Sequence, residues 1–288
     1  MIYTSYQIAD MIGVNVSTIK RWTDSGKLTC YQTVGGHRKF HLNDISTFLK
    51  NSKKHNNNIN VSYLVGKSKK INEAISSIDT KALIDFSYKS LISGKSNKFI
   101  SILNSLILKG QPKYFIFDEV IIPILIKIGA EWEKGKLSIT EEHLASEIIR
   151  KYLSNLNFNH ITKKLDYNAF CFTLINDKHD IPLHMGEAVM NENNKIRTYN
   201  LGSNLPVDDF INLSKKIKAD IVFISIIYIE DKSLIKEQIK LLSNHFSDTN
   251  TPILIRGIGT NRIRLKHNNV ITIDSFKAFD LYLSDNYK

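Results

Sequence analysis

The sequence predicts a multidomain chain of mixed α and α/β class: a winged helix-turn-helix, a four-helix bundle and a parallel sheet wrapped by helices. Three observations carry this. Two short amphipathic segments divided by Gly13 open the chain, and a loosely alternating stretch broken at Gly35-Gly36 follows them. Apolar residues then recur at helical spacing from about residue 80 to 156. Beyond residue 166, apolar strand-like runs alternate with amphipathic ones, the pattern of repeated strand and helix.

The bulk properties bound the rest. With 288 residues, 42% hydrophobic and 23% charged, the chain can bury the cores of two or three modules, which excludes fibrous, collagen-like and disulfide-scaffold classes. A net charge of +11 favours an acidic partner such as nucleic acid. Cys30 and Cys171 lie far apart without a Cys-x-x-Cys spacing, so neither a disulfide framework nor a zinc site is indicated. The start lacks a basic segment followed by an apolar one, and no apolar run reaches the roughly 18 residues of a membrane span. The expectation is a cytoplasmic protein without an anchor and with no membrane partner.

Thr4 and Gln7 have capping-box spacing, and Ile8, Ala9, Met11 and Ile12 then give a short amphipathic helix that stops at Gly13. Asn15 can cap a second helix with Val16, Ile19 and Trp22 inward and Ser17, Thr18, Lys20 and Arg21 outward. From Lys27 to Phe40 the chain suits a hairpin whose tip carries His37, Arg38 and Lys39, a wing beside the second helix. Residues 1–55 hold eight Lys and Arg against three Asp, so +5 of the +11 sits in a fifth of the chain.

Asn, Ser and Lys dominate from Asn51 to about Lys70, a linker composition. The expected domains are a DNA-binding head over 1–55, a linker over 56–78, a bundle over 79–160 and a sheet domain over 166–288. Bundle helices are predicted at 80–93, 96–109, 114–134 and 140–156, broken at Ser93-Gly94, Gly110-Gln111-Pro112 and Gly135. Ser138 and Glu141 repeat the capping-box spacing, which places Glu142 and His143 in the first turn of the fourth helix. Trp132 ends the third helix, so the three meet at one end of the bundle. On spacing alone, Trp132 reads as core and Glu141-Glu142-His143 as a solvated helix start.

In the last third, strands are expected at 168–175, 196–201, 219–226, 252–256 and 270–273, with helices at 206–217, 232–246 and 275–284. Five such strands fit the flavodoxin-like, Rossmann-type order 2-1-3-4-5, which binds ligands beyond the carboxyl ends of strands one and three. The first strand runs into Asn176-Asp177-Lys178-His179-Asp180. A carboxylate two residues before a histidine can hold one ring nitrogen and raise the basicity of the other, as at a metal ligand.

These residues carry resemblances. Ile8-Ala9, Gly13-Val14, Thr18-Ile19-Lys20-Arg21-Trp22 and Gly35-Gly36-His37-Arg38-Lys39-Phe40 resemble the winged-helix DNA-binding domain of the MerR family. That implies double-stranded promoter DNA as partner, with Ser17, Thr18, Lys20 and Arg21 at the major groove and His37, Arg38 and Lys39 at the backbone or an adjacent minor groove. Asp177-x-His179, Leu201-Gly202, Ser225, and Gly257 with Gly259 resemble the cobalamin-binding module of methionine synthase and methylmalonyl-CoA mutase. There the motif is Asp-x-His-x-x-Gly with a later Gly-Gly; here Pro182 stands for the first Gly and Ile258 splits the pair. His184, which precedes Gly186, offers a competing register, while His179 keeps both the Asp-x-His spacing and the distance to Leu201-Gly202.

Bundle before cobalamin module, with Trp132 separated by nine residues from Glu142-His143, resembles the photoreceptor regulators of the CarH and LitR kind. The resemblance implies a non-enzymatic transcriptional regulator, a repressor, whose dimers assemble into a tetramer on promoter DNA when adenosylcobalamin binds and separate in light. It implies that His179 is the lower cobalt ligand and Asp177 its partner. Trp132, Glu142 and His143 would pack around the upper ligand, with Leu201, Gly202, Ser225, Gly257 and Gly259 along the cofactor. One position departs: a His that directly follows the Trp in that family and captures cobalt after photolysis is Glu133 here. The alternative is a MerR-type regulator whose cobalamin-like domain has lost the cofactor and senses another ligand or partner.

Overall fold

The structure is a computed structural model that describes residues 2–52, 59–157 and 165–288. The expected boundary at 55–56, the first residues of the linker and the bundle's end at 160 lie outside the described residues.

The head is built as its caps dictate. In α1 (Ser5–Ile12), the Gln7 N–H donates to Thr4 Oγ1 at 3.3 Å and the Thr4 N–H to Gln7 Oε1 at 2.8 Å, the reciprocal cap the spacing predicts. Gly13 ends the helix at φ 73°, a conformation costly for a residue with a Cβ. Asn15 Oδ1 then accepts from the Ser17 N–H at 3.0 Å and starts α2 (Val16–Asp24). The wing strands β2 (Tyr31–Gln32) and β3 (Arg38–His41) are joined by an unexpected third, β1 (Ile2–Thr4), in the antiparallel order β1-β3-β2. α3 (Leu42–Asn51) completes a core that buries Ile8, Ile19, Phe40, Ile45 and Leu49.

The linker is shorter than composition suggests. α4 (Ser62–Val65) and α5 (Lys69–Ser77) fall inside the expected 56–78 span, and α5 packs on the two helices that follow it. The reason is a short apolar stripe, Ile71, Ala74 and Ile75, at positions i, i+3 and i+4, buried although its polar neighbours dominate the composition.

All four expected bundle helices are present: α6 (Thr80–Ile92), α7 (Ser96–Leu108), α8 (Lys113–Ile116) continuing through a π turn at Phe117–Ile121 into α9 (Ile122–Glu133), and α10 (Ile139–Leu156). The π turn lies just before Pro123, whose ring would meet the carbonyl four residues back in a regular helix. α3 lies against α7, and the Asn104 amide donates to the Tyr3 hydroxyl at 3.2 Å in a buried contact between head and bundle. Burial pushes the Tyr3 phenol up to about 12.

The chain divides into two compact units between Ile148 and Ile149, inside α10. The sequence places this division after the helix. α10 is shared because its second half carries Arg150, whose Nε and NH2 donate to Asp180 at 2.8 and 2.9 Å within the second unit.

That second unit holds β4 (Tyr167–Leu174), α11 (Ile181–Met190), β5 (Ile196–Leu205), α12 (Val207–Ser214), β6 (Ile221–Ser225), α13 (Lys232–His245), β7 (Ile253–Arg256), β8 (Val270–Thr272) and α14 (Phe276–Asn286). The strands are all parallel in the order β5-β4-β6-β7-β8, the predicted 2-1-3-4-5. Central β4 and β6 are apolar on both faces, as helices on either side require. The order reverses between β4 and β6, so their carboxyl ends frame the crevice.

Candidate functional sites

At the end of β4 the backbone turns through Asn176 at φ 70° and carries Asp177 inward, to 1% exposure. Asp177 Oδ1 accepts from the His179 N–H at 3.1 Å and lies 2.7 Å from His179 Nδ1. Its Oδ2 accepts from the Ile227 and Tyr228 N–H groups, at 2.7 and 3.1 Å, in the loop after β6. The Asp177 carbonyl accepts from the Asn204 N–H at 3.1 Å and from the Thr173 hydroxyl. One residue thus stitches together the ends of β4, β5 and β6. Burial pushes its carboxyl up, but hydrogen bonds from the His179 ring and the Ile227, His179 and Tyr228 amides outweigh that and hold it below the usual range. An ionised carboxylate on Nδ1 sets the ring's tautomer and makes Nε2 the nitrogen able to take a metal. The His179 side chain is 55% exposed.

The competing register is placed differently. His184 lies within α11, with Nε2 4.0 Å from Asp180 Oδ2 and Nδ1 3.7 Å from Glu187 Oε2. Gly186 faces β6, where an added Cβ would stand 2.6 Å from the Phe223 ring, so its smallness serves helix-on-sheet packing. Pro182 is the second residue of α11, where a missing N–H is harmless.

Ser225 closes β6, buried, and its Oγ has no hydrogen-bond partner among the described residues. Leu201 and Gly202 lie in β5; among the described residues nothing stands within 4 Å of where a Gly202 Cβ would be. Gly257 and Gly259 are used by the fold itself. At Gly257, φ 128°, a Cβ would stand 2.2 Å from the Ile226 carbonyl oxygen, and at Gly259 2.8 Å from the Ile226 side chain. The Gly259 N–H also donates to the Ile226 carbonyl at 3.0 Å. Both let the loop after β7 lie on the loop after β6.

Sequence reasoning misses an open pocket of about 520 Å³ whose lining includes the polar side chains of Asn157, Asp180, His184, Glu187 and Asn200 beside Leu201-Gly202. The Asn157 and Asn200 amides donate to Glu187 Oε2 at 3.0 and 3.1 Å. Burial pushes Glu187 up; bonds from His184 and Asn200, the charge of His184 and the Asn157 bond hold it below its usual range. The i, i+4, i+7 spacing of Asp180, His184 and Glu187 signals one helix face, while Asn157 and Asn200 arrive only by folding.

In the first unit, Ser138 and Glu141 cap α10 as expected, with the Ser138 N–H donating to Glu141 Oε2 at 2.8 Å and the Glu141 N–H to Ser138 Oγ at 3.2 Å. Those bonds hold the Glu141 carboxyl below its usual range. Glu142 Oε2 lies 2.6 Å from His143 Nδ1, and its Oε1 accepts from the Ser146 hydroxyl at 2.7 Å. Trp132 is 47% exposed at the end of α9 and is not bundle core.

In the head, Ser17, Lys20 and Arg21 are exposed on α2 and Thr18 is half-buried. Trp22 packs 4.7 Å from the Phe48 ring, a core role. His37 is exposed at the wing tip and Lys39 half-buried. Arg38 turns inward, its NH2 2.6 Å from Asp24 Oδ1 at the end of α2.

Among the described residues no group of three or more His, Cys, Asp or Glu is arranged to hold a metal ion, and no helix is long and apolar enough to cross a membrane.

Comparison with known proteins agrees with this architecture. A helix-turn-helix domain family matches residues 2–53, and a B12 binding domain family matches residues 87–157, from α6 through α10. The HTH-type transcriptional repressor CarH of Myxococcus xanthus is 23% identical over 230 residues, covering 75% of this chain and 76% of that protein. The monomethylamine corrinoid protein of Methanosarcina barkeri superposes with a TM-score of 0.52 at 13% identity, over 71% of this chain and 99% of that one. The latter establishes likeness of fold. The chain combines a helix-turn-helix domain with a B12-binding, Rossmann-like architecture and resembles the cobalamin-linked transcription regulators.

Proposed function

We propose that the protein is a transcriptional repressor whose self-association, to dimer or tetramer, and whose grip on promoter DNA are set by bound cobalamin, adenosylcobalamin above other forms. The observation that carries this is the Asp177–His179 pair at the strand-order reversal. One oriented histidine, in a structure where the described residues form no cluster of three or more His, Cys, Asp or Glu, suits a metal that brings its own macrocycle. The residues present fit such a group: Ser225 offers a buried hydroxyl without a partner among the described residues, and Gly202 leaves space where a side chain would stand. When bound, the corrinoid supplies a broad face and an upper ligand that light or chemistry can remove.

His179 would hold the cobalt and Asp177 would hold His179. Leu201, Gly202 and Ser225 would lie along the cofactor, while Gly257 and Gly259 would keep the adjoining loops close. Trp132, Glu142 and His143 would meet the upper ligand, and the exposed Trp132 indole favours a ligand contact over a packing role. Ser17, Thr18, Lys20, Arg21, His37 and Lys39 would face DNA. Regulation follows by linkage: a ligand that binds the assembled form better shifts assembly by its differential affinity, and joined heads gain avidity on DNA.

The test is light scattering of the purified protein with adenosylcobalamin in the dark, before and after green illumination. A cobalamin-dependent rise in mass supports the reading, and unchanged mass contradicts it. Loss of the assembly in light marks a photoreceptor despite Glu133, and persistence marks a chemical sensor.

A further inference from the structure

We propose that Arg38 acts as a positioning residue which, with Asp24, braces the wing against α2, rather than as a contact to DNA; this rests on the DNA-binding reading above. Strand alternation decides which way Arg38 faces. Phe40, two residues on, is fully buried, and Arg38 pairs with Gln32 across the hairpin, so Arg38 stands on the side of β3 turned toward the helices. Lys39 stands on the other side with its cross-strand partner Tyr31 and with His41, whose ring stacks on Tyr31 at 5.2 Å.

The side chains agree with the backbone. Arg38 NH2 lies 2.6 Å from Asp24 Oδ1, and the Arg38 side chain is only 21% exposed against 64% for Asp24. Arg38 Nε is buried as well. This guanidinium is committed inward before any DNA arrives.

Asp24 supplies an independent argument. It is the last residue of α2, where the negative end of the helix dipole disfavours a carboxylate. It also sets a negative charge beside the exposed Lys20 and Arg21, against attraction to phosphate. Local propensity and long-range charge both argue against Asp here, whereas a bond to Arg38 explains it. The pair fixes the angle between the two elements that meet DNA, so less ordering is left to the binding step.

The probe is the duplex that the full-length wild type enriches from a random-sequence library, with affinity measured across salt concentrations. Asp24→Asn and Arg38→Gln should each weaken binding about fivefold, the scale of a partly exposed pair. The double variant should bind no worse than either single one, and the salt dependence should stay as in wild type. Asp24 is largely exposed, so its isosteric variant keeps the fold, which far-ultraviolet circular dichroism checks. An Asp24→Asn protein that binds as tightly as wild type, additive losses in the double variant, or an Arg38→Gln salt slope reduced by about one would each overturn the brace. A wild type that enriches no duplex would overturn the DNA reading, and the brace with it.

Discussion

Two histidines carry the cofactor reading, and the fold holds them in opposite ways. His179 leans on a carboxylate that is 1% exposed and accepts from three backbone N–H groups drawn from two loops. His143 is 70% exposed beside a Glu142 that it shares with Ser146, all on one helix turn. Moving the first would break bonds to a buried charge, at a cost of about 1.5–3 kcal/mol for each. Moving the second costs a surface contact worth at most about 1 kcal/mol. On the proposed reading, the first position is built before a ligand arrives, while the second can adjust to what the ligand presents.

The largest expected effect comes from removing the held ring. His179→Ala should abolish retention of cobalamin through desalting or erase the lower-ligand signature from its absorbance, and an unchanged spectrum and affinity would refute the assignment. Gly257→Ala tests whether the loops after β6 and β7 tolerate any give. A Cβ there would stand 2.2 Å from the Ile226 carbonyl oxygen at φ 128°, so roughly 3 kcal/mol of stability should be lost in denaturant titration. A loss below about 0.5 kcal/mol would show that the loops can part.

Asp177→Asn should lower cobalamin affinity about 10- to 100-fold and leave a pH signature. The folded-state pKa of Asp177 lies below its ordinary value, so its stabilisation is present above the usual carboxylate range, near pH 4, and is lost as pH falls through the lowered value. Wild type should therefore lose more stability than the variant between pH 4 and the lowered pKa in acid titration; parallel curves would contradict the charge assignment. The smallest effect is expected at Trp132. Being half exposed, Trp132→Ala should change stability by no more than about 0.5 kcal/mol, and a large shift in melting temperature would return it to the core.

Much of this contrast is legible in the sequence where it depends on neighbours. Thr4 with Gln7 and Ser138 with Glu141 cap as spaced, the bundle helices stop at their Gly and Pro breaks, and the alternation of strand and helix yields the sheet order found. Asp177 and His179, two residues apart, meet as drawn. What stays hidden is what distant chain segments supply. The amides of Ile227 and Tyr228 that bury the Asp177 charge come 50 and 51 residues later, and no side-chain pattern announces a backbone donor. Asn200 reaches Glu187 only because β5 lies beside β4, and Asp24 reads as an ill-placed helix terminus until Arg38 is folded onto it. Composition also misleads once, at α5, where three apolar residues outweigh a polar neighbourhood.

The central claim is that this sheet end holds a corrinoid through His179. The most direct measurement is the absorbance of the full-length protein mixed with adenosylcobalamin in the dark and stripped of free ligand. Retention of one corrinoid per chain with a histidine-ligated spectrum is the predicted result, and a colourless protein would contradict it.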